Sequence, residues 1–592
     1  MGSLEAADCA ASSKKQNFLI IVADDLGFSD CGCFGSEIST PHIDNLAKDG
    51  LRFTSFHVAA ACSPTRAMLM SGTDHHLTGL GQLSEFVRMS PAHQGAPGHE
   101  GYLVDSVAAL PELLQDGGYH TMMAGKWHLG LKKQHGPAAR GFDRSFALLP
   151  GCANHYGYEP QYEDPIHEPH PFFETAVTAL HSENGQYVSE LPANFYSSDF
   201  YASKLIEYLD ERSGSNKEKP FFAYLPFSAP HWPLQAPKEA VDKYKGVYSD
   251  GPSALRLQRL EALKKMGLIG QDVNPHEMVV SAGEPDDWPV LTPLEREKSA
   301  RSMEVFAGMV EQMDLNIGRV IDHLKNIGEY DNTLIIFMSD NGAEGASYEA
   351  IPLVGTDIMS HIEKYYDNSL ENIGRHDSFV WYGARWAQAA TAPSRLYKMF
   401  STQGGCRVPL VLKPATATQS FSAAGSITDA FCTVMDIVPT ILELAGIPHP
   451  GTEFRGKPVE QLRGLSWTKF LDSVARGGRI NDLEFHRPDQ VTGWEVAGSG
   501  AIRKGRYKIT FVPAPKGPQR WELFDIAADP GETRDIGGQE PEILREMLLL
   551  WEQYKKDVGV VGLAGEFSLD GVPKDEFEDV GKWIRFMGRK NL

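Results

Sequence analysis

Two short runs, far apart in the chain, constrain the fold more than anything else in the sequence. Asn17-Phe18-Leu19-Ile20-Ile21-Val22-Ala23-Asp24-Asp25 and Thr333-Leu334-Ile335-Ile336-Phe337-Met338-Ser339-Asp340-Asn341-Gly342 are both apolar, rich in branched side chains, and finished by acidic or amide groups. A strand without polar alternation is buried on both faces, as happens in a parallel sheet covered by helices on each side. Ligands of open α/β sheets sit beyond the carboxyl ends of the strands, so two such strands ending in oxygen donors predict one shared site. Either aspartate taken alone would serve as well to cap a helix; the pair favours the site.

The remaining pattern extends this architecture. Strand-like runs recur at Tyr119 to Gly130, Pro220 to Pro233 and Gly404 to Leu412, with an amphipathic helix at Val107 to Leu114 and another at Ile427 to Leu444. Between Leu294 and Ile327, Met303, Phe306, Met309, Val310, Met313, Ile317, Val320 and Leu324 recur at helical spacing, which reads as the core stripe of a long helix. Lys238 to Val290 is charged and punctuated by proline and glycine, and is expected to be a surface insertion. Short strand-like pieces with turn signals follow at Thr492 to Ala497, Ala501 to Arg503, Tyr507 to Val512 and Trp521 to Phe524, then a helix from about Pro541 to Tyr554. The fold class is therefore α/β, a large and mostly parallel sheet sandwiched by helices, with a smaller C-terminal domain of antiparallel sheet and helix. The expected domains are 1–476, 477–556 and an extension, 557–592, in which Phe577, Val580, Ile584 and Met587 suggest one last docking helix.

Composition narrows the partners. The 592 residues carry a formal charge of −22, which disfavours nucleic acid and anionic membranes while leaving room for a local cationic pocket. No apolar run is long enough to cross a bilayer, and Met1 to Gln16 lacks the pattern of a secretion signal. Seven scattered cysteines fit a reducing compartment, and the cytoplasm is the expected location. Cys31-Gly32-Cys33 has no second pair nearby, and the adjacent His75-His76 point in different directions, so neither is read as a metal site.

One motif remains, Cys62-Ser63-Pro64-Thr65-Arg66 followed by Ala67-Met68-Leu69-Met70-Ser71-Gly72. Locally it is a helix start, with Ser63 as a cap and Pro64 at the first helical position, whose free N–H groups and dipole favour an anion beside Cys62. The whole string resembles the signature of the type I sulfatases of the alkaline phosphatase superfamily, and blocks of resemblance run from about Asn17 to about Tyr554, most closely to bacterial-type arylsulfatases. In that family the cysteine is oxidised to formylglycine by a generating enzyme that reads Cys-x-Pro-x-Arg, matched here by Cys62, Pro64 and Arg66.

The resemblance implies a sulfuric ester hydrolase that cleaves sulfate monoesters, aryl sulfates first, to an alcohol or phenol plus sulfate. It implies formylglycine at position 62 and one Ca²⁺, with Mg²⁺ as the lesser alternative, held by Asp24, Asp25, Asp340, Asn341 and an oxygen on residue 62; hard oxygen donors without histidine suit those ions. Lys126 and His128, from Gly125-Lys126-Trp127-His128-Leu129-Gly130, match an active-site pair, and their spacing on an extended segment puts both on one face. His231, framed by Pro230 and Pro233, matches a second catalytic histidine, and Lys398 a sulfate-binding lysine. Arg66 is expected to hold the nucleophile, Asp340 to act as its base, His231 to protonate the leaving oxygen and His128 to release sulfate. Trp381, Tyr382 and Trp386 are either ordinary core or the wall of an aromatic pocket. Leu523-Phe524-Asp525 with Asp529-Pro530-Gly531-Glu532 resembles the family's C-terminal block. The rival readings are a phosphonate monoester or phosphodiester hydrolase of the same superfamily, and a non-catalytic sulfate-ester binding protein if Cys62 stays a thiol.

Overall fold

Side chains of Asn17–Ala23 (β1) alternate between two buried layers, because successive residues of a strand point to opposite faces. Leu19 and Ile21 pack with the apolar face of the Pro293–Asn326 helix, whereas Phe18, Ile20 and Val22 pack with the Cys62–Ser71 and Ile437–Ala445 helices. The computed structural model describes residues 15–561 apart from 85–86, 88–91, 159–180, 189, 213–217, 280–287, 346–361, 363, 418–420 and 481–484. The proposed docking helix around Phe577 to Met587 lies outside the described residues.

Further strands are β2 (Leu51–Phe53), β3 (Phe56–His57), β4 (His120–Lys126), β5 (Arg144–Leu148), β6 (His181–Glu183), β7 (Gln186–Tyr187), β8 (Phe221–Pro226), β9 (Thr333–Ser339), β10 (Leu410–Lys413), β11 (Ser426–Thr428) and β12 (Cys432–Thr433). One ten-stranded sheet has the order β11-β2-β10-β9-β1-β8-β4-β5-β6-β7, and β3 pairs with β12 apart from it. Strands β9, β1, β8, β4 and β5 are parallel, while β10 runs against β9 and β6 against β5. In the β1–β9 register Ala23 faces Ser339, so Asp24-Asp25 and Asp340-Asn341 leave the sheet side by side.

Several elements differ from their sequence readings. The long helix spans Pro293–Asn326, started by a reciprocal cap in which Glu295 N–H donates to Thr292 Oγ1 and Thr292 N–H donates to Glu295 Oε2. All eight residues of its predicted stripe are buried. The helix expected from Val107 begins at Leu110, because Pro111 is tolerated only in a first turn. The one expected from Ile427 begins at Ile437, because Ile427 is used in β11, paired with Arg52, and Asp436 closes a capping turn on Thr433 N–H. Gly404 to Cys406 form a helical turn, leaving Leu410–Lys413 as the strand.

The described part of the expected surface insertion, 238–279, is packed into the core and does not merely lie on the surface. Helix Pro252–Lys265 packs on the core through Leu255, Leu260 and Leu263, and the buried Arg259 pairs with Asp30 and Glu37. Beyond the short hairpin β13 (Glu453–Phe454) and β14 (Lys457–Pro458), an antiparallel sheet β15 (Val491–Val496), β16 (Ser499–Lys504), β17 (Tyr507–Phe511) and β18 (Trp521–Asp525) carries helix Pro541–Val558 on one face. That sheet braces the segment bearing Lys398: Ser401 N–H donates to Ser499 Oγ at 2.9 Å, and Arg395 pairs with Glu522 at 2.6 Å.

Candidate active site

At the ends of β1 and β9 the backbone turns sharply. Asp25 has φ 70, a left-handed conformation that aspartate accepts more readily than most residues. Its N–H donates to Asp340 Oδ1 at 3.2 Å, and Asn341 Nδ2 donates to Asp25 Oδ1 at 2.7 Å. Gly342 is required where the chain leaves β9, since a Cβ there would lie 1.8 Å from Gly404 O. The four donors of the two strand ends thus form one buried group, as the paired motifs predict.

Helix Cys62–Ser71 is buried along its whole length and ends at Gly72, whose φ of 69 lets its N–H return to Met68 O. Its N-cap is Ala61 and not Ser63; Ser63 and Pro64 are the second and third helical residues. Pro64 costs nothing there, because N–H groups of a first turn have no intrahelical acceptor. Arg66, one turn on, is fully buried. Its Nε donates to Asp340 Oδ2 at 2.8 Å, its Nη1 to Lys126 O at 2.9 Å, and its Nη2 lies 3.5 Å from Asp24 Oδ1.

The other cations arrive from neighbouring strands. Lys126, the last residue of β4, donates to Asp24 Oδ1 and Oδ2 at 2.8 and 2.7 Å. The strand stops there, so the extended spacing expected for Lys126 and His128 does not hold: His128 has φ 55. That turn still brings His128 Nδ1 to 3.3 Å from Cys62 Sγ. His231 follows β8, donating from Nδ1 to Trp232 O at 2.6 Å and placing Nε2 3.4 Å from Asp25 Oδ2. Lys398 sits between Leu396 (φ 58) and Met399 (φ 75), left-handed positions that cost energy and that cluster at functional sites. Its Nζ bridges Asp25 Oδ1 at 2.9 Å and Glu344 Oε2 at 2.8 Å.

Burial and charge set the protonation of these groups. Burial pushes the Asp24 carboxyl well above the usual range; Lys126 opposes this and Asp340 adds to it. Burial also raises the Cys62 thiol, but Lys126, His128 and Lys398 outweigh it and bring it down to about 7. Burial, then Lys398 and Lys126, holds His231 well below the imidazole range. Burial disfavours the charge on Lys398, yet Asp25 and Glu344 prevail and raise it well above the usual value.

A divalent cation fits this set. Asp24, Cys62 and Asp340 offer ligand atoms within 4.8 Å of one another, and Asn341 Oδ1 is buried with no hydrogen-bond partner among the described residues. An amide oxygen left in that state is costly unless something accepts its lone pairs, and a hard cation does so. Sulfur is a poor ligand for such an ion; an oxygen on a modified residue 62 would complete the set.

Glu344, His155 and Gln235 belong to the site's surroundings but carry no motif. For Glu344 the available signal was an acid in the same turn as Asp340-Asn341. Of the aromatic trio, Tyr382 and Trp386 are core, the latter donating to Ser299 Oγ at 2.9 Å. Trp381 instead joins Trp232 and Phe379 beside His231, with ring centroids 6.3 and 6.2 Å away. His75 and His76 lie elsewhere, against the C-terminal sheet, and Cys31 and Cys33 are buried thiols raised by burial.

A nucleophile at a helix start, three buried cations and two histidines, gathered on oxygen donors at the ends of parallel strands, define a hydrolase that holds an oxyanion ester. A family model for sulfatases matches residues 16–447, and the chain belongs to the sulfatase family, hydrolases of sulfate esters. It is 52% identical over 565 residues to an uncharacterized sulfatase of Schizosaccharomyces pombe, covering 95% of this chain and 97% of that protein. It is 36% identical over 477 residues to an arylsulfatase of Klebsiella aerogenes, covering 79% and 95% of the two chains. The crystal structure of Ps i-CgsB shares the fold with a TM-score of 0.62 at 24% identity, covering 95% of this chain and 99% of that one.

Proposed function

We propose that this sulfatase hydrolyses aryl sulfate monoesters to a phenol and inorganic sulfate, with Cys62 converted to formylglycine. The observation that carries the reading is the convergence of Lys126, His128, His231 and Lys398 on the space beside Cys62. The Trp232, Phe379 and Trp381 rings next to His231, inclined to one another, supply an apolar surface for an aryl leaving group, and the Klebsiella aerogenes arylsulfatase supports the same substrate class.

When present, the cation supplies Lewis-acid polarisation and the modified residue 62 supplies the nucleophilic hydroxyl. Asp24, Asp25, Asp340 and Asn341 would hold the cation. Lys126 Nζ and Lys398 Nζ neutralise charge on the sulfuryl oxygens in a site where no reorganisation is needed. Asp340, fixed by Arg66 through Oδ2, accepts the proton of the attacking hydroxyl. His231 is held below the imidazole range first by burial and then by Lys398 and Lys126; an anionic ester offsets the two lysine charges and favours the proton on Nε2, which passes to the leaving oxygen. His128 Nδ1 takes the proton from residue 62 that accompanies sulfate release.

The test compares 4-nitrophenyl sulfate with a phenylphosphonate monoester, using protein whose residue-62 peptide has the aldehyde mass. Faster turnover of the sulfate, lost in Cys62→Ser, is the expected result. Preference for the phosphonate ester, or full turnover by Cys62→Ser, refutes the reading.

A further inference from the structure

His155 lies behind the site and has both ring nitrogens engaged. Nε2 is 2.9 Å from His231 O and Nδ1 is 2.8 Å from Ser197 Oγ. A carbonyl only accepts, so Nε2 carries the hydrogen; Nδ1 is then the acceptor and the Ser197 hydroxyl donates to it. One tautomer is fixed, and the ring is neutral, since burial pushes it down to about 4.

The backbone around this ring is equally constrained. His155 N–H donates to Gln235 Oε1 at 2.8 Å, and Ser197 N–H donates to His155 O at 2.8 Å. Gln235 Nε2 donates in turn to His376 O at 3.0 Å and Ser378 O at 2.9 Å. His155 is therefore a fixed, buried donor whose hydrogen bond to the His231 carbonyl ties it to the catalytic apparatus.

We propose that His155 is a positioning residue for His231, anchoring its backbone while the Nδ1–H to Trp232 O bond sets the ring angle. The inference rests on the reading of His231 as the leaving-group acid. A general acid must place its donor nitrogen within about 2.6–3.2 Å of the leaving oxygen. A shift of about 1 Å at a reacting group costs about 10²-fold in rate. Loss of the anchor is felt where protonation matters, with phenols of high basicity.

The experiment runs aryl sulfates of increasing leaving-group basicity on wild type, His231→Ala, His155→Leu, His155→Gln and Ser197→Ala, with thermal stability measured for each. His155→Leu is expected to lower kcat by about 10–100-fold on the poorest leaving groups, least on 4-nitrophenyl sulfate, with KM little changed. His155→Gln, which keeps an N–H donor, restores most of that loss. If His155→Leu does not fold, Ser197→Ala carries the test: it removes the donor to Nδ1, loosens the ring whose Nε2–H holds His231 O, and steepens the leaving-group dependence in the same sense. A dependence parallel to wild type in His155→Leu, or in Ser197→Ala where the former is unfolded, overturns the proposal. A dependence parallel to wild type in His231→Ala removes the acid itself and overturns the proposal by that separate route.

Discussion

His76 joins the catalytic part to the C-terminal sheet, and its charge can be tested by pH. Its Nδ1 lies 2.8 Å from Asp74 Oδ1 and its Nε2 3.2 Å from Glu495 Oε2. Carboxylates on both sides require both nitrogens to donate, which is an imidazolium. Burial opposes that charge, but the bonds to Asp74 and Glu495 outweigh it and raise the group from 6.5 to about 9. The carboxylates are themselves supported, by Tyr554 Oη to Asp74 Oδ2 at 2.9 Å and Gln82 Nε2 to Glu495 Oε2 at 2.7 Å. Neighbouring His75 and His99 are pushed down by burial to about 3 and about 4, and so stay neutral.

At about 1.4 kcal/mol per pKa unit, the rise is worth about 3 kcal/mol to the folded state. Asp74 is held well below the carboxylate range by the same contact, so its share is not added. The folded protein holds the proton more tightly than the unfolded chain. The contribution is therefore complete below pH 6.5 and is lost as pH rises to about 9. Against a total of about 5–15 kcal/mol this is a large fraction. Urea denaturation of wild type and His76→Gln, followed by tryptophan fluorescence, should show a stability difference of about 3 kcal/mol near pH 6 that shrinks toward zero above about pH 9. A difference that does not change with pH refutes the imidazolium.

Arg66→Met leaves Asp340 and Asp24 buried beside a neutral side chain, and should cost about 3–5 kcal/mol in denaturation experiments, far more than an exposed arginine. Ca²⁺ at about one hundred times its Kd should stabilise the protein by about 2.7 kcal/mol; calorimetry should show weaker binding in Asn341→Ala, which removes the orphaned Oδ1. Trp381→Ala should raise KM for aryl sulfates while leaving small alkyl sulfates unaffected, because it removes apolar surface beside His231 and no charge.

Much of this site was legible because its residues stand at the ends of elements that the sequence announces. Asp24, Asp25, Asp340 and Asn341 follow runs that can only be buried strands, and Cys62 to Arg66 open a helix with a distinctive start. Lys126, His128, His231 and Lys398 were placed by resemblance, and their convergence depended on loops: the left-handed His128 that bends β4 back to Cys62, and the Leu396–Met399 turn braced by β15–β18. Glu344 and His155 were missed because a single acid or histidine in a loop has no pattern until its partner is known. The charged stretch around Arg259 misled for a related reason, since Arg259 is buried by pairing with Asp30 and Glu37, and Arg256 by donating to backbone carbonyls, and neither by periodicity.

By itself, then, the sequence determined the strand cores, the long helix and the nucleophile's helix, because burial period and proline or glycine placement act within a few residues. Tertiary structure alone decided the parallel register that sets Ala23 beside Ser339, the reach of Lys126 across to Asp24, and the anchoring of His231 by His155. Those are contacts between residues distant in the chain, and their energy exists only once the sheet has brought the strand ends together.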